Sequence, residues 1–272
     1  MLVSRLHHLN CMPFLPGVRQ VTHCLVVETD EGLVLVDTGL GTADYQQPPR
    51  RVQFLFKVEH ASCEPHHTAL LQLTAQGYAP TDVRHIVLTH LHVDHDGGLP
   101  DFPWAKVHVY AREYQAAMHP RRLSFNDVVG IEPTHWAHAP QWVFHDGTFQ
   151  PWFGLDSLAV SGNEEPGILL VPLPGHTPGQ CGVAVHDGER WLLHCGDAFV
   201  RPCQVDPVSP SSPYPPWAAP FERYMFPLPA RQNIRRLLRE HGDQVTAFSS
   251  HDPITYAELR GISIEEAIGS CN

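Results

Sequence analysis

Four side chains of the kind that bind metal ions lie within six consecutive residues of this 272-residue chain, at His90, His92, Asp94 and His95. The apolar run at 85–89 directly before them predicts a buried strand. Alternate residues of an extended chain share one face, so His90 and His92 should point the same way. Two glycines after the cluster permit a tight turn that swings Asp94 and His95 to a second point. This spacing favours two metal ions close together over a single ion.

Three further candidate ligands follow apolar runs later in the chain. His176 lies in a turn rich in glycine and proline. Asp197 follows the predicted strand at 190–194, and His251 follows the one at 245–248. A single His or Asp at a strand end is more often structural, so each is a weak indication alone. Together with the first four they give seven candidate ligands from four strand ends, which predicts a metal site of histidine and carboxylate ligands.

These residues resemble the signature of the metallo-β-lactamase-fold hydrolases. The family's H-x-H-x-D-H motif is matched at 90–95, and its later His, Asp and His are matched in order at 176, 197 and 251. Asp37-Thr38-Gly39 also matches the family's early V-D-T-G segment. The resemblance covers about residues 20–255, and it is specific for the fold and for a two-metal site but not for a substrate.

The resemblance implies an α/β fold of four layers, an αββα sandwich with two β-sheets face to face and helices outside. It implies that the metal ligands are shared out as follows: His90, His92 and His176 on one ion, Asp94, His95 and His251 on the other, and Asp197 as a bridge. Asp94 and Asp197 are then the predicted catalytic carboxylates, and Asp37 is expected to orient a ligand histidine or the metal loop. Nitrogen and carboxylate ligands suit two Zn²⁺ ions, and iron or manganese also fits them.

The elements that must position these ligands are mostly strands. Apolar and β-branched runs predict strands at 22–29 and 33–38 joined by a glycine turn, and others at 85–89, 106–110, 168–173, 182–186, 190–194 and 245–248. Helices are predicted at 66–77, 112–118 and 231–241, and 120–165 is expected to be irregular. We expect one domain over residues 1–272, with a flap rich in proline and aromatic residues at about 202–229.

Composition excludes several classes of partner and location. Lys+Arg 18 against Asp+Glu 29 gives a net charge of −11, which disfavours nucleic acid and anionic membranes. The sequence contains no run of about 18 apolar residues, so it predicts no membrane span. The start has no apolar signal core, and the seven cysteines are odd in number without a C-x-x-C pair. These features predict a cytoplasmic protein with reduced thiols.

Among the family's activities, the residues favour hydrolysis of a small carbonyl ester, most of all a lactone of the N-acyl homoserine lactone kind. Relatives of that kind usually have a tyrosine three residues after the bridging aspartate, where this chain has Val200. A thioesterase of the glyoxalase II type shares the ligands, but the last 30 residues here hold a single cation, Arg260. An oxygenase with one iron, like the sulfur dioxygenases, is a third hypothesis, and a metal-binding protein without catalysis is a fourth.

Substrate contacts are expected from the flap. Nine prolines and five aromatic residues lie within 202–229, between two candidate ligands. Trp217 and Tyr224 in this stretch, and Phe199 just before it, are predicted to line an apolar pocket. Cys195 is expected to be a buried small residue and not a ligand.

Overall fold

Two six-stranded β-sheets form the centre of the chain in a computed structural model that describes residues 1–13, 20–59, 61, 64–119, 130–161, 167–206 and 228–268. The strands are β1 (Val3–Asn10), β2 (His23–Thr29), β3 (Gly32–Val36), β4 (Val83–Val87), β5 (Lys106–Tyr110), β6 (Gln141–His145), β7 (Gln150–Trp152), β8 (Leu155–Ala159), β9 (Ile168–Pro172), β10 (Cys181–His186), β11 (Trp191–His194) and β12 (Val245–Phe248). The α-helices are α1 (Thr42–Gln46), α2 (Arg50–Phe54), α3 (Ala69–Ala75), α4 (Val93–Asp96), α5 (Ala111–Ala117), α6 (Leu228–His241), α7 (Pro253–Arg260) and α8 (Ile264–Ala267).

The first sheet has the order β1-β2-β3-β4-β5-β6, and the second has the order β12-β11-β10-β9-β8-β7. Strands β3 to β6 run parallel to one another, while β1, β2 and β3 are antiparallel neighbours. In the second sheet β11 and β12 are parallel and the other pairs are antiparallel. Strands β9, β11 and β12 therefore end at the same edge of the second sheet.

Apolar side chains fill three layers between and outside the sheets. Leu25, Val36 and Val87 of the first sheet pack against the second sheet in the central layer. Helix α3 covers the outer face of the first sheet, and α6 covers the outer face of the second through Ile234 and Leu237. This arrangement confirms the predicted four-layer αββα sandwich.

Most of the predicted elements are present with their ends moved by a few residues. The strands at 106–110 and 245–248 have the predicted bounds, and the glycine turn between β2 and β3 is formed with Gly32 at φ 110°. The expectation of an irregular stretch at 120–165 is wrong for its described second part, which contains β6, β7 and β8. Strand β1 was not predicted, because its apolar residues do not alternate with polar ones, and this segment becomes a strand by pairing with β2.

Three imidazoles lie in a row across the first sheet. Nδ1 of His85 lies 2.9 Å from Nε2 of His108, and Nδ1 of His108 lies 2.9 Å from Nε2 of His145. Burial, followed by the neighbouring His145 and His85, lowers the pKa of His108 to about 3. The row is therefore neutral at physiological pH and forms part of the protein interior, not a charged site.

Within the part of the chain that the structure describes, none of the helices combines the length and the apolar character that crossing a bilayer requires.

Candidate metal centre

The chain turns from extended to helical within the first ligand cluster. His92 is the N-cap of α4 with extended backbone at φ −96° and ψ 155°, and Asp94 and His95 lie within the helix. Glycine is required after this cluster by tight packing, because a Cβ at Gly97 would lie only 2.7 Å from Oδ2 of Asp44. The extended and helical parts thus point two pairs of ligand side chains in different directions.

The other three candidate ligands lie in loops that follow strands of the second sheet, all at the same end of that sheet. His176 lies between β9 and β10, Asp197 follows β11, and His251 follows β12. Gly196 places Asp197 next to the first cluster, since its φ is 53° and a Cβ there would lie 2.9 Å from Cβ of Thr89. Asp252 caps α7 by accepting hydrogen bonds from two backbone N–H groups, which fixes the chain directly after His251.

The structure brings all seven candidate ligands together. Ligand atoms lie within 4.8 Å of one another in three overlapping groups, which are His90–His92–His176, His90–His95–Asp197 and Asp94–His95–His251. Oδ1 of Asp197 lies 3.5 Å from Nε2 of His95, and Oδ2 lies 3.5 Å from Nε2 of His176 and 3.3 Å from Nε2 of His251. Asp197 therefore lies between the two outer groups.

These distances fit bound cations. Atoms that coordinate one tetrahedral ion at about 2 Å from it lie about 3.3 Å from one another. Nε2 of His90, Nε2 of His95 and Oδ1 of Asp197 are buried, and no hydrogen-bond partner for them is present among the described residues. Buried polar atoms are rarely left unpaired because their lost hydration costs free energy, so the residues present fit a metal site.

Hydrogen bonds behind the ligands fix the direction of their rings. Asp37 accepts hydrogen bonds at 2.8 Å from the backbone N–H and the hydroxyl of Thr89 and from Nδ1 of His95. Nδ1 of His251 donates to the carbonyl of Val21 at 2.9 Å. Nε2 of both imidazoles therefore faces the centre, and the left-handed backbone of Asp37, with φ 56°, places its carboxylate between two ligand loops.

Charges at the centre separate two kinds of histidine. Burial, and then the neighbouring imidazoles, holds the pKa of His90 and His92 well below the usual value. Burial acts the same way on His95, but Asp94, Asp197 and Asp37 outweigh it and raise its pKa to about 10. Without a cation, a protonated imidazole therefore compensates the carboxylates.

A buried imidazole outside the ligand set connects three segments around the centre. Nδ1 of His135 lies 2.7 Å from Oδ1 of Asp96, and its Nε2 lies 3.0 Å from Oδ1 of Asp44. Burial opposes protonation of His135, but the two carboxylates outweigh it and raise its pKa to about 10. The sequence did not predict this pair, because His135 and Asp96 are too far apart in the chain to form a recognisable pattern.

Glu113 is a second residue that the sequence did not single out. It lies in the first turn of α5, it is 2% exposed, and its carboxylate accepts three hydrogen bonds from the loops that hold the ligands. The signal that could have identified it in the sequence is a charged residue on the buried face of a helix, between the buried residues Ala111 and Ala117.

Of the remaining residues discussed from the sequence, two lie in the apolar core and two lie outside the described residues. Cys195 is buried in the core cluster next to α6, its thiol donates to the carbonyl of Leu193, and burial raises its pKa. Phe199 is 1% exposed and packs in the same cluster. Trp217 and Tyr224 lie outside the described residues.

Two named proteins have sequences similar to part of this chain. A probable metallo-hydrolase of Mycobacterium tuberculosis is 43% identical over 203 residues, which are 74% of this chain and 64% of that protein. The chain thus spans less than two thirds of the length of that relative. An N-acyl homoserine lactonase from a Bacillus species is 28% identical over 159 residues, or 57% of this chain and 54% of that protein.

Solved structures and a family model agree on the fold. A crystal structure of Bacillus thuringiensis AiiA with N-decanoyl-L-homoserine bound at the active site matches 95% of this chain and 97% of its own, with 19% identity and a TM-score of 0.65. A dizinc quorum-quenching lactonase in complex with a product matches 93% and 90%, with 19% identity and a TM-score of 0.56. The model of the metallo-beta-lactamase superfamily matches residues 17–230, more than half of the chain, so the protein belongs to the metallo-beta-lactamase superfamily.

Proposed function

We propose that the protein is a dinuclear metal-dependent hydrolase that opens the ring of a lactone of the N-acyl homoserine lactone kind. The convergence of seven ligand side chains at one edge of the sandwich is the observation that supports hydrolysis most strongly. The lactone is supported by relatives that are named N-acyl homoserine lactonases and by structural neighbours that contain acyl homoserine products.

The seven side chains divide into two sets of ligands. His90, His92 and His176 would hold one cation, and Asp94, His95 and His251 would hold the other. Asp197, whose two oxygens face both sets, would bridge the cations and fix their separation. Zn²⁺ matches this combination of nitrogen and oxygen ligands.

Two divalent cations held here would supply a water of lowered pKa and polarise the carbonyl of the substrate. Asp94 is the candidate ligand whose side chain is 15% exposed, against 9% for His251 and 7% for Asp197. Substrate would therefore approach past Asp94, whose carboxylate can accept a proton from the attacking water. Water adds to the carbonyl carbon, the ring C–O bond breaks, and the product is a hydroxy acid.

The flap at about 202–229 belongs to the same proposal as one wall of the substrate pocket. Val205 near its start and Ala230 just after it pack with Phe199 in the core cluster beside α6, so both described ends of this stretch are anchored at the outer face of the second sheet. Trp217 and Tyr224 would then contact an apolar acyl chain. Replacing either residue by alanine should raise KM with little change in metal content, whereas unchanged kinetics in both variants would contradict the pocket.

The experiment that tests the function is a metal count combined with a substrate panel. Purified protein loaded with zinc should hold two ions per chain and release hydroxy acids from acyl homoserine lactones faster than it cleaves thioesters, β-lactams or phosphoesters. Asp197→Asn protein, loaded in the same way, is the matched control for background hydrolysis. Preferred cleavage of thioesters would favour the glyoxalase II-like alternative, and one iron per chain without hydrolysis would favour an oxygenase.

A further inference from the structure

A single buried carboxylate connects the two loops that present His90, His92 and His176. Oε1 of Glu113 accepts a hydrogen bond of 3.0 Å from the backbone N–H of Leu91, which lies between His90 and His92. Its Oε2 accepts 2.7 Å from the hydroxyl of Thr177 and 3.1 Å from the backbone N–H of Gly179. Each bond is therefore within a few residues of a candidate ligand.

The two loops come from different sheets, so their relative position is not set by strand pairing within a sheet. The loop with His176 lies directly on the first turn of α5, since a Cβ at Gly179 would lie 2.2 Å from the backbone nitrogen of Glu113. One backbone hydrogen bond, from Cys181 to Thr89 at 2.9 Å, also joins this region to the loop before His90. Glu113 adds three hydrogen bonds to that one.

Other contacts orient the second set of ligands. His95 is held by Asp37, and His251 is held by the carbonyl of Val21. The carboxylate of Glu113 is absent from every group of side chains able to hold an ion in the described part of the chain. The three hydrogen bonds that Glu113 accepts from Leu91, Thr177 and Gly179 thus all go to one half of the centre.

We infer that Glu113 is a positioning residue that sets the affinity of the cation site formed by His90, His92 and His176, and leaves the site of Asp94, His95 and His251 unaffected. The inference rests on the two-metal site of the proposed function. Residues that orient metal ligands typically change metal affinity by about 10–100-fold when they are replaced. Gln at position 113 keeps the shape but replaces one acceptor oxygen by an N–H donor, so one loop loses its bonds.

The test measures Co²⁺ binding in two backgrounds, each with one site removed. Full-length protein with His251→Ala keeps the site under test, and protein with His176→Ala keeps the other. Adding Glu113→Gln should raise the Co²⁺ dissociation constant by about 10–100-fold in the first background and by less than about threefold in the second, as expected for a residue that orients one ligand set. Equilibrium dialysis with metal analysis and the Co²⁺ absorption bands give both values without any assay of activity.

Glu266→Gln is the matched control. Glu266 accepts hydrogen bonds from the backbone N–H and the hydroxyl of Ser263, the same two donor types, on the surface of α8. It should change neither constant. An equal loss in both backgrounds, or no loss in either, would overturn the role of Glu113.

A second variant keeps the test decisive if Glu113→Gln does not fold. Thr177→Val removes one donor to Glu113 and keeps the carboxylate, so it should weaken Co²⁺ in the His251→Ala background alone. An unchanged constant there would also refute the inference. If neither single-site background binds Co²⁺, and the unmodified protein also binds none, the proposed metal site itself is wrong. If the unmodified protein binds Co²⁺ and neither Glu113→Gln nor Thr177→Val weakens this binding, only the positioning role of Glu113 is refuted.

Discussion

One methyl group at Gly130 should displace a candidate metal ligand. A Cβ at this position would lie 2.6 Å from Cδ2 of His92 and 2.7 Å from both Cγ and Nε2. Ordinary contact begins near 3.4 Å, so ring and segment would have to separate by about 0.8 Å. The ring has little freedom to move, because its Nδ1 already lies 3.0 Å from Nε2 of His176.

This displacement is large compared with what a metal site tolerates. Metal–ligand distances in real sites stay within about 0.2 Å of their usual values. Gly130→Ala should therefore weaken binding of the cation held by His92 and His176 by about 10–100-fold, the range seen when a ligand is misplaced and not deleted. It should also lower the free energy of unfolding of the metal-free protein by about 1–3 kcal/mol, as overpacking does.

The assay is Zn²⁺ binding by equilibrium dialysis together with urea unfolding of the metal-free protein. Gly147→Ala is the matched control, because nothing lies within 4 Å of a Cβ at that position. It should leave both quantities unchanged. If Gly130→Ala protein bound both ions with the affinity of the parent, the packing of this segment on His92 would be refuted.

Three further outcomes are expected. Asp197→Asn should remove bound metal and reduce hydrolysis by more than about 100-fold, as the loss of a ligand exceeds the effect of a supporting residue, while Cys195→Ala should keep both by metal analysis. Asn tolerates the same left-handed backbone, so Asp37→Asn should lower the affinity for the cation held by His95 by about 10–100-fold, measured by equilibrium dialysis. In His108→Gln protein without metal, the stability advantage of the parent should shrink by about 2 kcal/mol between pH 7 and pH 5 in urea unfolding.

The sign of the pH effect follows from the lowered pKa of His108, about 3 in the folded chain against 6.5 in the unfolded one. The unfolded chain takes up this proton first as the pH falls, so stability is lost from about pH 6.5 downward. A gap between parent and variant that stays constant over this range would contradict the neutral buried imidazole. Metal loss in Cys195→Ala but not in Asp197→Asn would reverse the ligand assignment, and unchanged binding in Asp37→Asn would remove its supporting role.

The types of the candidate ligands and their places at strand ends could be predicted from the sequence alone. The H-x-H-x-D-H spacing and the apolar runs before Asp197 and His251 are local patterns, and local patterns are what a sequence displays directly. For the same reason the strands Lys106–Tyr110 and Val245–Phe248 were predicted with their correct bounds. β6 to β8 were missed. β6 and β7 are short edge strands whose exposed side chains weaken the alternation, and β8 is a strand of five residues that pairs with β7 and β9.

Only the tertiary structure identifies the residues that hold the loops of the candidate ligands in place. Glu113 acts on the backbone N–H groups of Leu91 and Gly179, and every residue except proline has such a group, so no residue type marks the partner. His135 pairs with Asp96 and Asp44 across 39 and 91 residues of chain. Such contacts exist because two sheets, each paired internally, pack face to face and bring their strand-end loops together. The distance between loops is set by that packing, and it has no counterpart in the spacing of residues along the chain.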